Sequence, residues 1–490
     1  MKITTLLFTA LTSGLSLVST TNSFVLGRSS PPLLASSFSS KVSRGGATRL
    51  YVATTATSTT PATPTWQELQ ERINPVITDE DDAAASTPKD EPVLTLYRDT
   101  NGWCPFCERV WLCIRAKQLP YRERTVSLQN KPDWYKELVP TTQVPAMLLH
   151  PTTNKDDSSR KINSRTVVWE SLDIMKALDE AFPDTPRLVL DTPEYQAASA
   201  QTAQLGGLGF RYIYSSRNTS LTVLEVDQFK QDFINGLDQL EDSFSSNGSG
   251  GPFRLGSEFS GADAELIPTL ERWRYQLPIS KGLDILEGRP LLQKWFDAMD
   301  AFAPYSERVA GDAYSWAAAS SMFTRFFAGD ADNPNNIQAI ARADAVAAQL
   351  VQGFSDISSA EVNARFSRQA AEKLISNHEA VIADCTNQEP KSQQHIDRSD
   401  DPSAADIVLR HVCSLLLLED GTHILDAAQT GPMVEISDSQ DRLDASQAAR
   451  AVATRLSVPR DMGAPSAKIL RAVLSIVADR LEGETKTPQV

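Results

Sequence analysis

Between residues 93 and 182, short apolar runs alternate with amphipathic stretches. Residues 93–97, Val-Leu-Thr-Leu-Tyr, read as a buried strand. Residues 105–117 set apolar Val110, Leu112, Cys113 and Ile114 beside charged Glu108, Arg109, Arg115 and Lys117, which predicts a helix. Residues 121–128 predict a second strand and 131–138 a short helix. A third strand over 143–149 is entered through a proline, and 166–169 make a fourth. Residues 171–181 predict a helix that stops before Pro183, and the charged stretch 152–165 reads as a hairpin loop. The order β-α-β-α-β-β-α describes one small α/β unit.

Strand signals then vanish. From 194 to about 305 helical spacing recurs at 223–243, 263–276 and 291–301. Ser260-Gly261-Ala262-Asp263 before an apolar helix is a capping signal, with a structural role expected. From 311 to the end the chain stays helical and alanine-rich, with breaks at 329–336 and 387–402. Residues 410–418 form a buried helical run too short to span a membrane, and 466–481 a final helix. Ahead of the α/β unit, residues 66–73 predict a short helix, and the acidic, proline-containing 75–92 a linker.

At 490 residues the chain exceeds one ordinary domain. Its net charge of -15 argues against a general nucleic-acid binder. Cys104, Cys107 and Cys113 cluster, Cys385 and Cys413 stand apart, and the count of five is odd. That excludes a disulfide framework and favours a reducing compartment. No His-Glu-x-x-His and no doubled Cys-x-x-Cys occurs, so no metal site is expected.

Lys2 followed by an apolar stretch over 6–18 reads as a secretory signal. Residues 24–66 then lack any Asp or Glu, carry Arg28, Lys41, Arg44 and Arg49, and are rich in Ser, Thr, Ala and Pro. That is transit-peptide composition. A signal followed by such a segment resembles the bipartite leader of secondary plastids, with Asn22-Ser23-Phe24 near its cleavage motif. The expected destination is the plastid stroma; the alternative is the secretory pathway.

The chemistry gathers at Trp103-Cys104-Pro105-Phe106-Cys107. This places Cys104 at a helix N-cap and Pro105 at the first helical position, where a missing N–H costs nothing. The free N–H groups and the positive end of the helix dipole favour a thiolate there, and the thiolate is the nucleophile. Cys113 is expected to be a core residue, Cys385 and Cys413 core or surface residues without a role, and Trp103 a pocket-wall or surface aromatic.

An α/β unit with Cys-Pro-Phe-Cys at its first helix, followed by an all-helical region, resembles the glutathione transferase superfamily over roughly residues 93–305. The cysteine-type branch fits best: omega and lambda transferases, dehydroascorbate reductases and the chloride intracellular channel proteins. Asn130-Lys131-Pro132-Asp133-Trp134, Val144-Pro145 and Glu170-Ser171 follow in the family's order. The resemblance implies an α/β plus all-α chain: a leader over 1–67, a linker over 68–92, a thioredoxin-like glutathione-binding domain over 93–185, a helical C-terminal domain over 194–310, and a helical extension of unknown role over 311–490.

It also implies roles. Cys104 would attack a disulfide or electrophile, and Cys107 could resolve a mixed disulfide. Val144, before a cis Pro145, would pair its backbone with the cysteine of glutathione. Glu170 and Ser171, at a helix N-terminus, would take the γ-glutamyl end. Lys131 would meet the glycyl carboxylate or the thiolate, and Phe106 would shape the pocket. Arg211 and Tyr212 fall where the family's acceptor site sits. Glutathione is then the co-substrate. The second substrate is a small disulfide, an electrophile or a glutathionylated protein, and a homodimer is compatible with the family.

Cys107 departs from most omega enzymes, which have Ala or Ser there, and from the Cys-Pro-Phe-Ser usual in dehydroascorbate reductases. No Tyr or Ser stands at the nucleophile position, so ordinary conjugation should be weak. Arg109, Arg115 and Lys117 in the first helix argue against stable membrane insertion. The expected function is a glutathione-dependent thiol transferase or reductase. The alternative is a non-catalytic scaffold whose extension binds a ligand or protein.

Overall fold

Strand β1, Leu94–Asp99, is buried at every position but Thr95, and its last two residues, Arg98 and Asp99, are buried charges. Helix α2, Pro105–Ala116, carries the chain back to β2, Tyr121–Val126, which pairs with β1 in parallel. β2 bears Arg122, Glu123 and Arg124 and forms one edge of the sheet, where charge is tolerated. Helix α3, Asp133–Leu138, leads to β3, Ala146–Leu149, and β4, Thr166–Trp169, both antiparallel to their neighbours. The strand order is β2-β1-β3-β4, and helix α4, Ser171–Ala181, closes a thioredoxin-like unit. The third strand starts at Ala146 rather than at 143, after Pro145, which has no N–H for the ladder.

This computed structural model describes residues 63–73, 92–151, 165–218, 220–246, 250–327, 333–386, 403–418 and 421–486. The expected leader up to residue 62, the linker over 74–91, the loop over 152–164 and the break over 387–402 lie outside the described residues.

Alternation along the strands splits the interior in two. Leu94, Leu96, Met147 and Leu149 face α2, α4 and the helices that follow; Tyr97, Val126, Ala146 and Leu148 face α3. The first cluster runs without interruption into α5, Pro193–Ile213; α6, Val223–Ser246; α7, Gly261–Lys281; α8, Pro290–Ala301; and α9, Ala303–Ser306. Helix α7 is their axis. Ser260 and Asp263 close a capping box at its start, and Asp263 Oδ1 also accepts from Trp295 Nε1 at 2.8 Å, so the signal is structural as expected. Gly209 lets α5 approach α7: a Cβ there would lie 2.1 Å from Trp273.

The extension divides by packing. Helices α10, Ala313–Phe327, and α11, Pro334–Gln352, lie on α7 through Ile279, Ala317 and Ala343. Arg342 Nε donates to the carbonyl of Ile279 at 2.8 Å near the end of α7. The expected break ends sooner than residue 336, because Asn333 caps α11 and Pro334 opens it.

The rest forms a bundle with its own core: α12, Ala364–Ser376; α13, His378–Thr386; α14, Ala404–Leu416; α15, Ile424–Thr430; α16, Ser439–Arg455; and α17, Ala464–Lys486. Helix α1, Trp66–Ile73, joins this distant bundle. Leu69 and Ile73 enter its core, and Trp66 Nε1 donates to Asp406 at 2.7 Å. Residues before the α/β unit thus dock on the C-terminal bundle. Among the described residues no helix is long and apolar enough to cross a membrane.

Candidate functional site

The site begins where β1 stops. Asp99 ends the strand, Gly102 turns the chain at φ 71°, and Cys104 caps α2 with an extended backbone. The Cys104 side chain makes no cap hydrogen bond to the helix, so its sulfur stays available. It is 8% exposed, with Sγ 3.9 Å from the carbonyl oxygen of Val144. Cys107, one turn along, is 1% exposed. Burial, and then the neighbouring Cys104, push its thiol well above the ordinary value. Asp99 lies in the same pocket of the turn: its Oδ2 accepts from the backbone N–H of Trp103 at 2.8 Å, while Oδ1 meets no donor.

The other expected residues approach from three elements. The Val144–Pro145 peptide is cis, and Tyr135 Oη donates to the preceding carbonyl, that of Gln143, at 2.6 Å. Lys131, just before α3, is partly buried. Burial lowers its pKa and the charge of Cys104 opposes that, so the two groups sense each other. Glu170 stands before α4 with φ 67°, a left-handed conformation costly for a residue with a side chain, by about 1–3 kcal/mol. Ser171 is buried, and its Oγ accepts from Arg109 at 3.0 Å. Phe106 is partly exposed, with its ring 5.7 Å from the Arg109 guanidinium. Tyr212 is buried against Phe233, and Arg211 pairs with Asp232, which accounts for both as packing and surface pairing.

Several residues at the site were not legible as functional. The charges of α2 do not make a solvated face. Glu108 and Lys117 are each 3% exposed, because the helix is wedged between the sheet, α4 and α7. Lys117 pairs with Asp179 at 2.7 Å and Glu108 with Arg272 at 2.7 Å. Arg272 also donates to the carbonyl of Trp103 at 2.8 Å, which ties α7 to the residue before Cys104. Glu271 is buried beside it and accepts from Gly311 N–H at 2.6 Å. Glu108 Oε1 and Glu271 Oε2 meet no donor from the rest of the protein. Burial, with Glu271 adding to it against the pull of Arg272, raises Glu108 well above the carboxylate range.

The extension reaches this turn at three points. The Phe323 ring meets Trp103 edge-on at 5.4 Å, and Arg272 lies over Trp316 at 4.8 Å. Pro459 packs on Gly102 so closely that a Cβ there would lie 2.9 Å from its ring. Arg308 holds the carbonyl of Pro459 at 2.6 Å and stacks on Trp111, on which Arg98 also lies. Trp103 is thus partly exposed and packed against the extension. The sequence carried one weak signal of this contact, a glycine immediately before Trp103-Cys104.

Two family models match the chain: the N-terminal domain of glutathione S-transferase over residues 103–181 and its C-terminal domain over 224–298. Protein IN2-1 of Zea mays is 30% identical over 207 residues, 42% of this chain and 76% of the relative. Glutathione S-transferase L2, chloroplastic, of Arabidopsis thaliana is 31% identical over 42% of this chain and 62% of its own length. Glutathione S-transferase DHAR3, chloroplastic, of the same plant is 26% identical over 44% of this chain and 73% of its own.

Proposed function

The chain belongs to the glutathione S-transferase superfamily, and on that premise we propose that it is a glutathione-dependent thiol transferase whose nucleophile is Cys104. The observation that carries the reading is the Cys104 sulfur, free of capping duty at the N-terminus of α2 and facing the Val144 backbone. The Cys104 thiolate attacks the glutathione sulfur of a mixed disulfide. The Cys104–glutathione disulfide forms, and the other thiol leaves as a thiolate that takes a proton from water. A second glutathione thiolate then attacks that bond, releasing oxidised glutathione and the Cys104 thiolate.

The binding roles follow from the surroundings. Val144 offers backbone groups to the cysteinyl part of glutathione. Ser171, with Glu170 and the first N–H groups of α4, receives the γ-glutamyl end. Lys131 meets an anionic group, and Phe106 borders the pocket. Arg109 holds Ser171 from behind and adds positive charge for the same carboxylate. Cys107 lies under the nucleophile rather than at the opening, which favours a one-thiol cycle. Glutathionylated proteins, small disulfides and dehydroascorbate are the substrate candidates.

Delivery to a plastid is part of the proposal. It rests on the acid-free, basic segment over 24–66 and on two relatives named chloroplastic. Fusing residues 1–67 to a fluorescent protein tests it; secretion of the fusion would count against it.

The deciding assay is glutathione-dependent reduction of a small mixed disulfide. Cys104→Ser is expected to abolish turnover, and Cys107→Ser to keep most of it. Glutathione binding without turnover in the wild type would replace the enzyme by a binding protein. Equal loss in both variants would mean a two-thiol cycle.

A further inference from the structure

Strand β1 and helix α2 bring three metal-ligating side chains to one point, of which the sequence motif contains only two. Asp99 comes from the strand, Cys104 and Cys107 from the first turn of the helix. One ligand atom of each lies within 4.8 Å of the other two, and all three residues are buried. Among the described residues no other group of three His, Cys, Asp or Glu side chains is gathered so closely.

We propose that Asp99, Cys104 and Cys107 form a binding site for a soft divalent cation of the zinc or cadmium kind. Two thiolates and one carboxylate are the donors such ions take, whereas magnesium and calcium require oxygen ligands throughout. The carboxylate is also short of a partner. Asp99 is wholly buried, and its Oδ1 has no donor while Oδ2 has one. An isolated buried acceptor is costly, and a cation removes that cost.

Three protein ligands leave a fourth position open, for a water or an external thiol. Outer contacts are in place as well. Arg98 donates to the Asp99 carbonyl at 2.9 Å, and the Trp103 N–H fixes the carboxylate. No paired Cys-x-x-Cys or His motif marks this site along the chain, because its third ligand, Asp99, belongs to another element.

Binding changes no oxidation state. A thiol that still holds its proton gives it up as its sulfur bonds the ion, so one divalent cation displaces up to two protons. While the ion is bound, the Cys104 lone pair is engaged and the thiol cannot attack a disulfide. The site therefore also provides a reversible block on the nucleophile. The inference does not need Cys104 to turn over glutathione, and its test is run without glutathione.

The full chain, reduced and stripped with a chelator, is titrated with cadmium and followed by the thiolate-to-cadmium charge-transfer absorbance; zinc then competes. One equivalent per chain is expected, with release of one to two protons. Asp99→Asn keeps both sulfurs and should weaken binding by about tenfold or more. Cys107→Ser should remove most of the absorbance, with circular dichroism checking that each variant is folded. If a variant does not fold, the wild type still decides: reversible oxidation of Cys104 and Cys107 to a disulfide must abolish binding.

A second readout is alkylation of Cys104 by iodoacetamide. One equivalent of zinc should slow it, and chelator should restore it. The proposal is overturned by absence of binding in the wild type, by zinc that leaves alkylation unchanged, or by binding that persists after oxidation. It is equally overturned by wild-type binding in folded Asp99→Asn and Cys107→Ser, which would mean an adventitious ion only. Metal binding without thiol transfer would remove the proposed function and leave this site standing; the reverse result would do the opposite.

Discussion

The turn around Cys104 and the bundle over 364–486 are both well buried, yet they treat polar groups differently. Near the turn, buried polar atoms without partners crowd together: Asp99 Oδ1, Trp103 Nε1, Glu108 Oε1 and Arg109 Nε, faced by Glu271 Oε2, Arg272 Nε and Gln276 Nε2. In the bundle, among the described residues, His411 Nε2 alone is in that condition. Arg471 makes the contrast plain. It is buried like Arg272, but its guanidinium reaches Asp312, Ser315 and the carbonyls of Ala453 and Leu456. Native proteins satisfy nearly all buried polar groups, so a concentration of exceptions marks a region shaped for something other than stability. Apart from His411, the bundle's described buried polar groups are paired; those named around the turn are not.

The largest expected effect tests whether the seam between these regions serves the turn. Arg272→Met leaves buried Glu108 and the Trp103 carbonyl without their partner. Removing one member of a buried pair costs about 3–5 kcal/mol. Chemical denaturation should report that loss, and the alkylation rate of Cys104 in the folded variant should change too, with Arg272→Lys in between. A stability loss with unchanged alkylation would make Arg272 a purely structural tie.

Next is Leu474→Ala in α17, which opens a cavity in the bundle core and should cost about 2–5 kcal/mol. Here alkylation of Cys104 should hold while the bundle remains folded. A fall at temperatures where the bundle is intact would erase the contrast between the two regions.

The bundle should also carry an acid sensitivity. Burial, and then the charge of Arg480, push His411 down from 6.5 to about 4. The unfolded chain then binds a proton more readily than the folded one between those values. Stability that is present above 6.5 is lost as the pH falls toward 4. At roughly 1.4 kcal/mol per unit the upper limit is about 3 kcal/mol. Denaturation curves of the wild type at neutral and mildly acidic pH should show this loss, and His411→Leu should flatten it.

The smallest expected effect is at Trp316→Leu, which removes the aromatic face under Arg272 and shrinks a fully buried side chain, and should cost about 2 kcal/mol. A shift in Cys104 alkylation larger than that of Leu474→Ala, despite the smaller stability loss, would show that α10 supports the turn directly.

Much of this was legible in the residues. Residues 166–169 and 171–181 are found as strand and helix at the bounds read from their spacing, and 223–243 differs from α6 only at its end. Those segments are strongly periodic and closed by Pro, Ser or a cap, so local chemistry decides them. Cys104 was legible for the same reason, since a Cys-Pro pair opening a helix is a local arrangement. Arg109 was not, because a charged residue on a helix looks solvated until the helices that cover it are known.

By itself, then, the sequence determined the order of elements, the helix that presents Cys104, the capping box at Ser260 and Asp263 and the family to which the chain belongs. Tertiary structure alone decided that Asp99 stands within 4.8 Å of both thiols and that Arg272 holds the turn that carries Cys104. It alone decided that the extension meets that turn at Gly102 and Trp103, and that α1 docks on a bundle more than 300 residues away. Periodicity and capping act within a few residues along the chain, whereas burial and pairing between distant side chains exist only once the elements have packed.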